Sequence, residues 1–432
     1  MKSFFGNKEI GLTFYIVFWG VIMEIAMDSL CVMFSKAFDL IEAETFGISR
    51  YHSLRIASLC AKMGKYVGYD DDSILAIFTC ALFHDNALTE YTLCQRAMGY
   101  KHIDLRPHCE HGQRNVEWLP FTKNIDGYIL HHHSSENGEG PFGMCEFPRE
   151  AAFIGAADMV DATCHLQNVP PGKLNALRDK IAARIGTFST KDAIETLLEI
   201  LDSDVLESIR NENVHATAQQ LFPVWKVRID QKCVDNKCVV RLARFISHII
   251  DCKSTYTRKH SEQIANRAWL MGGYYGYARE ENTLLYLAAS LHDIGKVGTP
   301  IEVLEKPGKL DKNEYKILME HVRYTYDWLG EVEGLGKIRL WASEHHEKLD
   351  GTGYPLGRRD TELDFNSRLL ACIDIYQAVC EERPYHSARS HEDTMPILYR
   401  MAEKGFIDGN IVKDLDEAMN PYSLCDLPPP AL

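Results

Sequence analysis

The feature that most constrains this chain is that it repeats itself. Residues 49–64 read SRYHSLRIASLCAKMG and residues 257–272 read TRKHSEQIANRAWLMG, two amphipathic stretches with a histidine near the start. After each histidine, 32 residues on, stands a His-Asp pair: His84-Asp85 after His52, and His292-Asp293 after His260. CEHGQRNVEWL then aligns with MEHVRYTYDWL, setting His111 against His321, with Trp118 and Trp328 each seven residues later. HHSSENGEGPFG aligns with HHEKLDGTGYPLG, so His132-His133 match His345-His346. Last, GAADMVDATC aligns with LACIDIYQAVC and sets Asp158 against Asp374, each six residues before a cysteine. The chain is an internal duplication, so both copies must fold on one plan.

That plan is helical. Apolar residues recur at helical spacing in YKILMEHVRYTYDWL and SRLLACIDIYQAVC, and alternating runs are scarce. The exception is VWKVRID with KCVVRL, joined by VDNK, which predicts a short β-hairpin at the junction. The expectation is an all-α fold of two domains, 28–225 and 241–432, with a junction at 226–240. At 432 residues the chain is too long for one ordinary core, and its 46% apolar and 25% charged residues are those of a folded protein.

The net charge of −14 repels a polyphosphate backbone over most of the surface, which argues against a polynucleotide partner. Thirteen cysteines without a CxxC pair read as free thiols of a reducing compartment, hence a cytoplasmic protein. Residues 10–23 (IGLTFYIVFWGVIM) are almost wholly apolar, with Lys2 and Lys8 before them, the outline of a signal peptide or short anchor. The run falls short of the roughly 20 residues of a spanning helix and is closed by Glu24 and Asp28. Segment 1–27 therefore reads as a docked helix or a start-site artefact before a membrane anchor. A homodimer stays open.

A single histidine on an apolar face is usually a hydrogen-bonded core or surface residue. His260, His292, Asp293, His321, His345, His346 and Asp374, drawn from five helical segments and repeated in the other half, are too many to bury unless cations satisfy them. Adjacent residues at a helix end project about 100° apart, so Asp293 can bridge two metals while His292 binds one. The ligand count suits two cations with open positions, the arrangement for in-line hydrolysis of a phosphodiester. Nitrogen and oxygen ligation without thiolate points to Fe or Mn first, and less strongly to Zn or Mg.

HDIGK (292–296) with HHEKLDGTGYP (345–355) resembles the HD-GYP subfamily of HD-domain phosphohydrolases over essentially the whole of 251–385. The resemblance implies a tandem of HD-type helical domains hydrolysing a cyclic dinucleotide, cyclic di-GMP or 3′3′-cyclic GMP-AMP, to the linear 5′-phosphorylated product. It makes the seven residues metal ligands, Asp293 the bridge and Lys296 a contact to the scissile phosphate. A lysine there can also stabilise charge developing on phosphate oxygens. Gly351, Gly353, Tyr354 and Pro355 read as a tight turn, with Tyr354 able to stack on a base. The resemblance places Asp350, Gly353, Tyr354 and Pro355 at the substrate, and Arg383-Pro384-Tyr385 at a second phosphate or a guanine edge. Some members carry a glutamate four residues before the first histidine and hold a third metal; here Tyr256 stands there, so two metals are expected.

The first half reads HDNAL where the second reads HDIGK, so Ala87 and Leu88 replace Gly295 and Lys296, and its GEGP lacks the tyrosine. It keeps a shell of His52, His84, Asp85, His111, His132, His133 and Asp158, and is expected to hold metal without catalysis or to bind a nucleotide and regulate its neighbour. The rivals to a phosphodiesterase are a non-hydrolysing cyclic dinucleotide receptor and an HD phosphohydrolase acting on another nucleotide. The tandem layout without a receiver domain resembles the cyclic GMP-AMP-degrading members.

Overall fold

The structure is a computed structural model; it describes residues 23–88, 90–91, 104–119, 123–187, 189–222, 226–229, 236–254, 259–381 and 388–420. It is built almost wholly of helices. In the first half the helices that position the site are α1 (Met27–Phe46), α2 (His52–Tyr66), α3 (Asp71–Leu82), α4 (Arg106–Val116) and α5 (Arg149–Cys164). The second half contributes α6 (Asn236–Asp251), α7 (His260–Tyr274), α8 (Arg279–Leu291), α9 (Lys312–Leu329), α10 (Gly336–Ser343) and α11 (Phe365–Cys380). Among the described residues no helix is long and apolar enough to cross a membrane. Of segment 1–27, residues 1–22 lie outside the described residues.

Local sequence explains several of the starts. Asp70 accepts from Ser73 N and opens α3, Asp364 accepts from Ser367 N and opens α11, and Asp311 with Glu314 forms a capping box on α9. The duplication shows in a rarer device. The residue before each leading histidine, Tyr51 or Lys259, is left-handed at φ +64° or +69°. A buried carboxylate from the preceding helix takes the freed N–H groups: Asp39 those of Tyr51 and Ser53, Asp251 those of Ser261 and Glu262. So α1 is the counterpart of α6, which extends the repeat beyond the aligned segments.

The expected hairpin does not form. VWKVRID does supply a strand, β2 (Lys226–Ile229), but it pairs antiparallel with β1 (Met23–Ala26), at the end of the apolar N-terminal run. KCVVRL lies in α6, where its apolar residues fit a helical face.

The halves are interleaved. Phe83 packs edge-on against Phe38 of α1 at 5.6 Å and against Phe245 of α6 at 5.2 Å. A small apolar cavity there is lined by residues of α1, α6 and the 3-10 turn Ile294–Gly298. Glu44 of α1 binds Lys253 and accepts from Ile301 N. A first-half helix thus buttresses the segment that carries Lys296.

Candidate metal centre and active site

The histidines are aimed by helix ends. His292 follows the last turn of α8, and His345 lies two residues beyond α10, where the final carbonyls have no partner within the helix. Nδ1 of His292 lies 2.7 Å from Ala289 O and Nδ1 of His345 lies 2.8 Å from Ala342 O, and His321 makes the same contact with Leu318 O. A carbonyl only accepts, so Nδ1 carries the proton and each Nε2 presents a lone pair inward. Those three Nε2 atoms and Oδ1 of Asp293 are buried without a hydrogen-bond partner. Polar atoms are not left so without compensation, and lone pairs converging on a point are satisfied by a cation.

Asp293 divides the site. Its Oδ2 lies 3.0 Å from His292 Nε2 and 3.7 Å from His260 Nε2; its Oδ1 lies 3.4 Å from His321 Nε2 and 3.8 Å from His345 Nε2. Asp374 closes both sides, Oδ1 3.3 Å from His260 Nε2 and Oδ2 3.9 Å from His346 Nδ1. All seven expected residues come together: His260, His292 and Asp293 form one donor group, His321, His345 and His346 another, and Asp374 reaches both. Each group fits a divalent cation, with Asp293 facing both.

Electrostatics agree. Burial holds His321 down to about 4 and His345 to about 3, with His292 adding repulsion at the latter, so both rings are neutral and can ligate. Burial opposes ionisation of Asp293, yet the fields of His292 and Lys296 outweigh it and hold the carboxyl well below its usual range. His260 runs the other way: burial disfavours its charge, but Glu381 and Asp374 carry it up to about 9. Glu381 Oε2 lies 2.8 Å from His260 Nδ1, and Gln377 donates to the other oxygen at 2.6 Å. Sequence reading missed Glu381, a carboxylate that fixes the tautomer of a metal-facing histidine.

Lys296, on the 3-10 turn after Asp293, bonds to Asp293 Oδ2 and keeps a partly exposed face. Gly295 before it admits no side chain, because a Cβ would stand 1.8 Å from His321 O. The Gly351–Pro355 turn folds back on the site. Tyr354 N donates to His346 O, and its ring lies 4.8 Å from that of His346. Glu347 anchors the turn by accepting from Leu356 N and Arg358 N. Asp350 is a turn residue: its carboxylate accepts the N–H and O–H of Thr352. Arg383, Pro384, Tyr385 and Tyr256 lie outside the described residues.

The first half rebuilds this shell with one correction. His52, His84, Asp85, His132, His133 and Asp158 converge as expected, but the seventh member is His108: its Nε2 lies 3.1 Å from Asp85 Oδ1, while His111 pairs with Glu90 at 2.8 Å. The Nε2 atoms of His84, His108 and His132 are again buried without a hydrogen bond. Asp161, bonded to His52 Nδ1 at 2.6 Å and to Arg55, does for His52 what Glu381 does for His260. Where Lys296 stands in the second half, Leu88 is buried.

Residues 244–411 match the model of the HD domain. The chain is 26% identical over 373 residues to 3′3′-cGAMP-specific phosphodiesterase 1 of Vibrio cholerae, covering 83% of this chain and 85% of that one. It is 32% identical over 173 residues to the cyclic di-GMP phosphodiesterase response regulator RpfG of Xanthomonas campestris, covering 40% and 44%. The crystal structure of a cyclic GMP-AMP-specific phosphodiesterase of V. cholerae superposes with a TM-score of 0.60 at 20% identity, over 92% of this chain and 98% of that one, which establishes the shared fold.

Proposed function

We propose that the second half of this chain, whose residues 244–411 match the HD-domain model, is a metal-dependent phosphodiesterase that opens a cyclic dinucleotide to its linear 5′-phosphorylated form. The observation that carries the reading is Asp293, whose two oxygens face two separate groups of imidazoles. The seven ligands would hold two divalent cations, Fe or Mn by their donor set. When bound, such a pair supplies Lewis acidity and an activated water.

The rest falls to the chain's own residues. Water adds to one phosphorus, the P–O3′ bond breaks, and the departing O3′ takes up a proton. Lys296, its ammonium held beside Asp293, sets a positive charge where phosphate oxygens gain negative charge. Tyr354, over His346 at the mouth of the site, offers a ring for a base to stack on. Glu381 keeps the ring of His260 oriented with Nε2 inward. A relative that matches 83% of this chain is named for 3′3′-cGAMP, so cyclic GMP-AMP is the first substrate to try and cyclic di-GMP the second. The first half, with its unpartnered imidazoles but Leu88 for lysine, is read as a metal-holding copy without turnover.

The test is incubation of protein loaded with Mn or Fe with cyclic GMP-AMP, cyclic di-GMP and cyclic di-AMP, and chromatography of the products. A linear dinucleotide from one of them is expected. No linear product from any of the three removes the reading.

A further inference from the structure

A third group of metal-binding side chains lies outside both seven-residue shells, on the seam between the halves. Glu90 comes from the first half, five residues after Asp85; His248 and Cys252 come from one face of α6 and its end. Their donor atoms lie within 4.8 Å of one another. His248 Nε2 is 3.4 Å from Glu90 Oε2 and 3.7 Å from Cys252 Sγ. The edges of a tetrahedron with Zn–N and Zn–O near 2.0 Å and Zn–S near 2.3 Å are about 3.3 Å and about 3.5 Å. The other oxygen of Glu90 is held by His111 Nδ1 at 2.8 Å, a carboxylate oriented from behind. Cys252 is 6% exposed, while the two histidines and Glu90 keep some exposure, which leaves a way in.

The duplication supplies an internal control. Counting from the paired landmarks Asp39 and Asp251, Asp85 and Asp293, and His108 and His321, the counterparts of Cys252, Glu90 and His111 are Leu40, Gly298 and Tyr324. Those three meet in the structure: a Cβ on Gly298 would lie 3.2 Å from the ring of Tyr324 and 3.7 Å from Leu40. At one seam these three simply pack, and Lys36, which answers to His248, pairs with Glu331, while its mate carries carboxylate, imidazole and thiol at ligand spacing. The repeat alone does not require those donors.

We propose that Glu90, His248 and Cys252 form a structural zinc site that clips α6 to the first half, with His111 orienting Glu90 and a fourth position left to water. Thiolate and carboxylate together offset the charge of the ion, and the thiol proton leaves on binding. Because α6 also presents Asp251 to the start of α7, the clip bears on the helix that carries His260.

Cobalt(II) separates this site from the other two, since neither seven-residue shell contains a thiolate. Metal-stripped full-length protein titrated with Co(II) is expected to develop a thiolate-to-cobalt charge-transfer band, which Zn(II) then displaces. Cys252→Ser should abolish the band and lower the bound zinc by one equivalent, with helical circular dichroism unchanged, and His111→Ala should weaken binding by roughly 10–100-fold. As a check independent of any variant, zinc should slow alkylation of Cys252 in the wild-type chain. Absence of the band in wild type, a band that persists in Cys252→Ser, or alkylation of Cys252 indifferent to zinc overturns the proposal.

Discussion

Lys296 and Glu381 touch the same cluster but do different work, and single substitutions separate them. Lys296 donates to Asp293 Oδ2 without being a member of either donor group. Lys296→Ala should therefore keep its metal and lose roughly 100-fold to 1000-fold in turnover, the usual cost of removing one preorganised charge. Metal analysis beside the single-turnover rate checks this, and undiminished turnover demotes Lys296 to a surface residue. Glu381→Gln should instead weaken metal affinity by roughly 10–100-fold, because His260 loses the carboxylate that fixes its tautomer; competition with a chelator reads that loss directly. The clustered residues of the second half were legible because the repeat marked each of them twice. His108 was not, since residues three apart share a helix face and the aligned tryptophans favoured His111, which the structure gives to Glu90. Glu381 carried no repeat signal: its partner in role, Asp161, follows Asp158 by three residues, whereas Glu381 follows Asp374 by seven.

At the level of elements, the two halves keep the same turn after the double histidine although only one has the tyrosine. Gly138 and Gly351 are both left-handed, at φ +73° and +79°. A Cβ on Gly140 or Gly353 would stand 2.4 Å from backbone atoms of the preceding segment, His133 O or Lys348 N. The glycines are thus demanded by close approach, and losing the tyrosine did not release them. Gly353→Ala and Gly140→Ala should each cost about 1–3 kcal/mol, as overpacking does, with no gain to compensate. Gly336→Ala, at the open start of α10 with nothing within 4 Å, should be neutral or slightly stabilising. Denaturant midpoints of the three variants make the comparison, and a Gly353→Ala protein as stable as wild type would refute the close approach. The same scale shows where pattern stops informing. Alternation in VWKVRID correctly marked a strand, but period two says which residues pair-face and not which segment pairs; the partner, Met23–Ala26, lies about 200 residues upstream in a run that reads as helix.

For the molecule as a whole the question is which copy of the shell turns over substrate. Asp85 and Asp293 occupy equivalent positions, each with Oδ1 toward one pair of imidazoles and Oδ2 toward the preceding histidine. Both shells hold buried, unpartnered Nε2 atoms, so both should retain metal. In the proposed reaction they differ in what would face the phosphate. The second has Lys296 and the Tyr354 ring; the first has the buried side chain of Leu88, which neutralises nothing. A site that assembles a nucleophile but leaves the transition-state charge unmet binds without accelerating. Asp293→Ala should accordingly abolish turnover. Asp85→Ala should remove metal from the first half and lower stability, because α1 and Phe83 tie that half to the segment bearing Lys296, yet the folded fraction should turn over at a near-normal rate. Metal stoichiometry and single-turnover rates on the two variants, measured side by side with the folded fraction of each, decide it. A folded Asp85→Ala protein that is silent, next to an Asp293→Ala protein that still cleaves, would place the chemistry in the first half.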